Sequence, residues 1–345
     1  MEGSATPPTG ASRAPARRTT IYDVAAAAGV SKSLVSLVLQ GSPRVSPARR
    51  DAVQKAMSEL NYRPSRAASA LAGHRSRTIG VVVDDFRNLW FVDLLDGMRE
   101  VFEPLGLTVT VADSAHESEG GLRVIDNFVA SKADAIVIAC EPTEAMTVAQ
   151  DIPIVIAGNR AVTIPRASVI ASDDARGARL ATRHLIDLGH IRIGHVTGDG
   201  GSAALRSSSY EATMLEAGLV PLVTRGSGRT NEPDGFLATR RLLEDDVRVT
   251  AVFAANDTMA LGALAAIHDA GRRVPEDVSL IGYDNSPLAS SEILRLTTIE
   301  DNSRDVGRLV AQTVDAALEG RESSDLALVE PRLVARSSTG VPIRS

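Results

Sequence analysis

The chain has 345 residues and a formal net charge of −6 at pH 7, and 44% of its residues are hydrophobic, a share typical of globular proteins. This length accommodates two or three packed domains, each with its own core. The single cysteine, Cys140, excludes an intrachain disulfide framework, and we find neither a signal peptide nor an apolar run of membrane-spanning length. We therefore expect a cytoplasmic protein without a membrane partner.

The charge is unevenly distributed along the chain. Residues 1–77 hold 12 Lys and Arg against 4 Asp and Glu, a net charge of +8, which leaves 25 against 39 and a net charge of −14 for the remainder. A basic segment on an acidic chain predicts contact with phosphates. Its first 18 residues are small, polar and proline-rich, a composition typical of a disordered tail.

Three short helices are predicted between residues 20 and 62. Thr20 can cap the first helix, Gly29 can form the turn after it, and Ser31 can cap a second helix from Lys32 to Leu39. A third helix starts at Ser46 and Pro47, with its buried stripe at Val53, Met57 and Leu60. Two short helices joined around a glycine form a helix-turn-helix, whose second helix reads the major groove of DNA. By geometry alone, a helical hairpin of an ordinary core remains the alternative.

Residues 64–77 predict a short linker helix that Ser65 begins and Gly73 ends. A helix this short is marginal in water, so it requires a partner to persist. A plain interdomain linker is the alternative interpretation.

Beyond residue 78, apolar strands alternate with amphipathic helices. This alternation predicts an α/β core with parallel sheets that are covered on both faces. The predicted strands are 79–83, 107–113, 135–139, 152–158, 193–198, 250–256 and 278–284.

Motifs for catalysis or metal binding are weak. His184, His190 and His195 cluster in sequence, but no carboxylate shares their spacing as a metal ligand. The loop GDGGS at 198–202 lacks the lysine of a phosphate-binding loop, and there is no Gly-x-Ser-x-Gly motif. We therefore expect neither an enzyme nor a metal ion or cofactor.

Polar and aromatic residues follow several predicted strands, where open α/β sheets bind ligands. They are Asp85, Asn88, Trp90, Phe91, Arg206, Asn256, Asp257 and Asp284. An arginine that faces a carboxylate beside an aromatic wall suits a polyhydroxylated sugar, since paired charged groups bind vicinal hydroxyls in fixed geometry. An interdomain ion pair is the alternative role of Arg206 and Asp284, and core packing is the alternative for Trp90 and Phe91.

Seven stretches of sequence carry a more specific resemblance. They are VAAAAGVSKSLVSLVLQG, VSPARRDAVQKAMSELNYRPSRAASALAG, IGVVV, LIDLGHIRIGHVTG, FAANDTMALGAL, VPEDVSLIGYDN and LTTIEDN. In this order they closely resemble the lac repressor family of transcription regulators, over nearly all of residues 20–340. The resemblance implies a repressor that binds an inverted-repeat operator in double-stranded DNA as a homodimer and responds to a small effector, most simply a carbohydrate. A periplasmic-type solute-binding protein is the alternative.

The resemblance also implies a domain plan. It has a tail (1–18), a helix-turn-helix domain (19–63), a hinge helix (64–77) and a core (78–345). The core has two doubly wound subdomains similar to periplasmic binding proteins, about 78–171 with 301–329 and about 172–300 with 330–340. The chain ends without the leucine-heptad tail that forms tetramers, which favours a dimer.

The family's DNA-binding positions carry over residue by residue. Those that contact phosphates match Thr20, Ser31, Ser36, Ser46 and Arg49. We also predict DNA contacts for Lys32, Ser33 and Leu37 in the recognition helix, for Arg44 before the third helix, and for Ala68 and Leu71 in the hinge helix. Leu71 has the place of the leucine that the family inserts into the minor groove. Leu34, Leu37 and Gln40 replace the usual threonine, arginine and asparagine, so that an arginine–guanine contact from position 37 is lost.

The arginine and aspartate that bind the effector in the family match Arg206 and Asp284, and Trp90, Phe91 and Asn256 join them as predicted effector-binding residues because they follow predicted strands. Three departures are predicted to make the pocket roomier or more polar: Gly158 replaces an aspartate, and Thr230 and Ser303 replace aromatic residues.

Overall fold

A computed structural model describes residues 19–39, 42–62, 76–114, 122–142, 146, 152–162, 164–321 and 326–343. The chain divides into two compact units at residues 74 and 75, which we call the head and the core. The predicted tail and most of the predicted linker helix, including Ala68 and Leu71, lie outside the described residues.

Within residues 19–39 and 42–62, the head consists of α1 (Ile21–Ala27), α2 (Lys32–Leu39) and α3 (Pro47–Glu59). The three predicted helices are confirmed. Gly29 makes the turn between α1 and α2 with φ +65°, a conformation that costs glycine little. The small core of the head includes one fully buried valine from each helix, namely Val24, Val35 and Val53.

The predicted helix caps hold with one exception. The Thr20 hydroxyl accepts the backbone N–H of Asp23, and the Asp23 carboxylate accepts the backbone N–H of Thr20 at 2.7 Å. Ser46 occupies the cap position of α3, but its side chain makes no capping bond, and its carbonyl oxygen accepts the N–H of Arg49 at 3.1 Å. The predicted buried stripe of α3 omitted one residue, because Ala56 is buried beside Val53.

The first sheet of the core has six parallel strands in the order β11-β5-β4-β3-β1-β2. They are β1 Thr78–Val83, β2 Thr108–Asp113, β3 Ala135–Ala139, β4 Ile154–Ala157, β5 Ser168–Ser172 and β11 Leu326–Val329. Helices cover both faces, as predicted: Val81 and Val83 pack on the side of α4 (Trp90–Phe102) and α10 (Ser303–Leu318), while Val82 packs on the side of α5 (Leu122–Ala130).

The second sheet has four parallel strands in the order β7-β6-β8-β9. They are β6 Ile193–Thr197, β7 Leu222–Arg225, β8 Ala251–Ala254 and β9 Ser279–Ile281. Its helices are α6 Asp174–Asp187, α7 Gly201–Glu216, α8 Glu232–Asp245 and α9 Asp257–Asp269. A short antiparallel pair, β10 (Thr298–Glu300) and β12 (Arg332–Val334), lies where the chain passes between the sheets for the second and third times.

All seven predicted strands exist, but most are shorter than the apolar runs that predicted them. The run 152–158 is a strand only at Ile154–Ala157, for example, and 278–284 only at Ser279–Ile281. Within the described ranges no single helix is long and apolar enough to cross a membrane, although α1 and α2 pass that test together as a bent pair.

His195 of β6 is fully buried in the second sheet. Its ring stacks on Phe253 with centroids 4.6 Å apart, and its Nδ1–H donates to the Phe253 carbonyl at 2.9 Å. Its Nε2 is buried and has no partner among the described residues. Burial lowers the pKa of His195 from 6.5 to about 3, so the folded chain keeps this ring neutral.

The unfolded chain therefore binds a proton near pH 6.5 that the folded chain does not bind until about pH 3, and acid should lower the stability. We expect the free energy of unfolding to fall by about 2 kcal/mol more in the wild type than in a His195→Phe variant between pH 7 and pH 5. Urea unfolding at the two pH values measures this difference. An equal pH dependence in both proteins would contradict the prediction.

Candidate functional site

A cavity lies between the two sheets of the core, beyond the ends of their strands, where open α/β sheets bind ligands. Residues that follow β1 and β4 line one side, and residues that follow β6, β8 and β9 line the other. All five residues predicted from the sequence as effector-binding line it: Trp90, Phe91, Arg206, Asn256 and Asp284. The sequence therefore located the cavity, but the structure gives these side chains different roles.

Arg206 is the central cation of the cavity. It lies on α7 and is 8% exposed, and its guanidinium stacks 3.6 Å from the centre of the Tyr283 ring. Its Nε donates to Asp174 at 2.7 Å, and its Nη1 donates to the Ala255 carbonyl at 2.5 Å and lies 3.5 Å from Asp284. The two aspartates keep Arg206 charged despite its burial and raise its pKa.

The partners of Arg206 rule out an interdomain ion pair as its alternative role. Asp174 begins α6 and Asp284 follows β9, so both carboxylates belong, like Arg206, to the half of the core that contains the second sheet. The ion pairs therefore lie within one half and do not bridge the two. Sequence reasoning missed Asp174, because the strand before it was not recognised.

Asp284 is 5% exposed and adopts φ +100°, a left-handed conformation that is strained for a residue other than glycine. Burial raises its pKa well above the usual range, and the charge of Arg206 only partly opposes this. Among the described residues, the Arg206 Nη2 and the Asp284 Oδ2 have no hydrogen-bond partner. One donor group and one acceptor are thus left beside the cavity.

The two aromatic residues, Trp90 and Phe91, have different roles. Phe91, a residue of α4, is 4% exposed and packs in the core of the first half. It offers little surface for stacking on a ligand, so the alternative role of core packing holds. Trp90 is half-buried and lies edge-on to Phe91. Its indole N–H donates to Asp301 at 2.6 Å.

Asn256 bonds to the protein through both the oxygen and the nitrogen of its side-chain amide. Its oxygen accepts the backbone N–H of Met259 at 2.7 Å and so caps α9, and its nitrogen donates to the Thr230 carbonyl at 3.0 Å. It therefore fixes the position of the loop at Thr230, and the second N–H of its amide has no hydrogen-bond partner among the described residues. Thr230 itself lines the cavity, and Ser303 lies at the start of α10.

Asp301, which sequence reasoning also missed, is 2% exposed and lines the cavity. It accepts bonds from the Trp90 indole and from the backbone N–H of Ser303. Burial raises its pKa to about 7, so this carboxyl exchanges its proton near neutral pH.

Direct contacts close the cleft on one side. The Glu141 carboxylate, beyond β3, accepts the backbone N–H of Gly201 at 2.6 Å and that of Ala161 at 2.9 Å. The Ser202 hydroxyl donates to the Asn159 carbonyl at 3.1 Å. Glu141 and Asn159 belong to the first half of the core, whereas Gly201 and Ser202 begin α7 in the second half, so the bonds Glu141–Gly201 and Asn159–Ser202 connect the halves.

Most predicted DNA-binding residues in the head are exposed. These are Ser31, Lys32, Ser33, Leu37, Arg44, Ser46 and Arg49, whereas Thr20 and Ser36 are half-buried. Lys32 lies at the start of α2, with its ammonium 5.3 Å from the ring centre of Tyr22, an exposed residue of α1. Thr20 is engaged in its cap. Ala68 and Leu71 lie outside the described residues.

The described residues contain no group of three or more His, Cys, Asp or Glu that could hold a metal ion. His190 instead bonds Thr250 and Ser279 at 2.9 and 3.0 Å within the protein.

Comparison with known proteins agrees with both units. The sequence profile of bacterial regulatory proteins of the lacI family matches residues 20–65, and that of the periplasmic binding protein-like domain matches residues 182–339. The HTH-type transcriptional repressor PurR of Vibrio atlanticus is 32% identical over 330 residues, which cover 92% of this chain and 98% of that protein.

Two solved structures extend the likeness. The lac repressor dimer bound to operator and the anti-inducer ONPF has a TM-score of 0.82 at 29% identity, covering 94% of this chain and 100% of that chain. The complex of the transcriptional regulator CelR with cellobiose has a TM-score of 0.69 at 29% identity, covering 93% of this chain and 100% of that chain.

Proposed function

We propose, because this chain belongs to the LacI family of bacterial regulatory proteins, that it is a repressor whose operator affinity is set by a small carbohydrate in the cleft. Its family makes it a DNA-binding transcription regulator and not an enzyme. The proposal adds the class of the ligand, the cleft as its site and the cytoplasm as its location.

One observation carries the choice of a carbohydrate. The Arg206 Nη2 and the Asp284 Oδ2 supply an unbonded donor and an unbonded acceptor beside one cavity, held rigidly by Asp174 and by the backbone. Vicinal hydroxyl groups both donate and accept, so they suit such a pair. Trp90 adds an aromatic wall, and the related CelR has been solved with cellobiose.

We propose a homodimer, because one three-helix head is too small for tight, specific binding and two heads match an inverted repeat. The related lac repressor has been solved as a dimer on its operator. Our proposed domain limits remain 19–63, 64–77 and 78–345, with the core divided near residues 171, 301 and 329. The proposed DNA contacts are the residues of the head named above together with Ala68 and Leu71.

A thermal-shift screen of the full chain against sugars, nucleosides and amino acids tests the ligand class. We expect at least one sugar to raise the melting temperature and to change the affinity for an operator selected from random DNA. Stabilisation by nucleosides or amino acids alone would overturn the carbohydrate assignment while leaving the regulator intact.

The salt dependence of DNA binding tests the head. Each phosphate that a Lys or Arg neutralises contributes about 0.9 to the slope of log affinity against log salt, so Arg49→Ala should lower the slope of a dimer by about 2. Lys32→Ala should instead reduce the preference for operator over random DNA, since the start of α2 faces base edges. Titrations on both DNAs at several salt concentrations separate these effects.

Arg179→Ala, an exposed arginine of the core, serves as the control and should change neither quantity. A slope near zero for the wild type would show that the head does not bind DNA in the way that we propose.

A further inference from the structure

Asp84 directly follows β1 and lines two adjoining cavities. The first is the cleft cavity described above, and the second is its neighbour. The two share Asp84, Asn88, Glu141, Asp199, Gly200 and Thr230 as walls. Asp84 thus lies where a ligand of the cleft would extend from one cavity into the other, in the half of the core opposite to Asp284.

The Asp84 carboxylate is poorly compensated within the protein. Its Oδ1 is fully buried and has no hydrogen-bond partner among the described residues. The neighbouring cation is Arg160, but its Nη2 donates to the carbonyls of Ala139 and Ala157 at 2.7 and 2.6 Å. Burial raises the pKa of Asp84 because the charge of Arg160 and nearby backbone N–H groups offset only part of the lost hydration.

The cleft cavity as a whole is lined by more carboxyl groups than guanidinium groups. Its cavity is lined by the two guanidinium groups of Arg160 and Arg206, and both already donate to protein acceptors. The carboxyl groups that line it are those of Asp84, Glu141, Asp174, Asp199, Asp284 and Asp301. An anionic ligand would add negative charge to a cavity in which carboxyl groups outnumber guanidinium groups six to two, so the site disfavours phosphorylated or acidic sugars.

We propose that Asp84 binds a positively charged amino group of the ligand, and that the cleft therefore selects an amino sugar over its neutral and anionic counterparts. This inference rests on the proposed function, because it assumes that the cleft binds the effector. The Arg206 and Asp284 pair binds hydroxyl groups on one side of the ligand, while Asp84 binds its ammonium group from the other half of the core.

A hydroxyl group would satisfy Asp84 less well than an ammonium group. A hydroxyl donates one hydrogen bond and leaves the charge of the carboxylate in a partly desolvated site. An ammonium group donates hydrogen bonds and also offsets that charge, and such charge-assisted bonds are stronger than neutral ones.

Matched ligands of the full chain test the inference. Glucosamine, glucose and glucuronate, with the corresponding galacto series and the disaccharides of glucosamine and glucose, differ mainly in charge. We expect calorimetry at pH 6.5 to give at least about tenfold tighter binding of the amine than of the neutral sugar, and no binding of the acid.

Two isosteric variants form a matched pair. Asp84→Asn should abolish the preference for the amine, whereas Asp199→Asn, at an exposed carboxylate of the same cavity, should retain it. Because Asp84→Asn removes a poorly compensated charge, its melting temperature should equal or exceed that of the wild type, which shows that the variant is folded.

The outcomes are distinct. Neutral or acidic sugars that bind as tightly as the amines would overturn this inference and leave the proposed function intact. An amine preference that persists in Asp84→Asn would overturn the role of Asp84. No binding across the whole series, with stabilisation by nucleosides or amino acids, would overturn the proposed carbohydrate function and this inference with it.

Discussion

Replacing Arg206 by alanine should destabilise the core by about 3–5 kcal/mol and abolish the response to the effector. The substitution leaves Asp174 and Asp284 buried without their cation, and it removes the donor that the cavity presents to hydroxyl groups. Urea unfolding measures the first effect, and operator binding with and without effector measures the second.

Arg179→Ala is the matched control, because Arg179 forms an exposed ion pair with Glu216 on the outside of the same half. Exposed pairs contribute at most about 1 kcal/mol, so this variant should retain stability and response. If Arg206→Ala were as stable and as responsive as this control, the buried ion pairs would have neither of the roles given to them here.

Gly201→Ala should impair closure of the cleft. A Cβ atom at Gly201 would lie 2.4 Å from the backbone carbonyl carbon of Arg160 and 2.6 Å from the nitrogen of Ala161. These atoms belong to the other half of the core, and neither can move independently of its chain. Since overpacking of this kind costs about 1–3 kcal/mol, we expect effector binding to weaken by roughly 10- to 100-fold.

The variant Ser202→Ala separates this clash from the loss of one contact. It removes only the bond to the Asn159 carbonyl at 3.1 Å and introduces no atom. Its effector affinity should fall by less than about tenfold, because one neutral hydrogen bond contributes about 1 kcal/mol. A Gly201→Ala protein with wild-type affinity would show that these two segments separate in the bound form.

The sequence predicted elements whose physical signals are local. Caps and glycines delimited the three helices of the head, and long apolar runs marked the strands that are buried on both faces. The strands β5, β7, β10, β11 and β12 were not predicted. Two of the five residues of β5 are serine, β11 alternates between exposed and half-buried positions, and β10 and β12 have three residues each.

The same limit applies to the cleft. Arg206 and Asp284 follow recognisable strands or match the family's motifs, and they were predicted. Asp174 follows β5 and was missed together with that strand, while Asp301 follows β10, which has only three residues and was missed as well. Glu141 and Asp84 follow recognised strands, but their roles depend on the loop and helix that face them across the cleft, which no local pattern encodes.

The contact of Glu141 has a consequence for timing. Its carboxylate accepts the first N–H of α7, the helix that carries Arg206, from the opposite half of the core. Opening the cleft therefore leaves that helix end without its anionic partner, whichever ligand is enclosed. The residence time of the ligand should then be set in part by the protein itself. The response of such a regulator should therefore outlast a brief pulse of its effector.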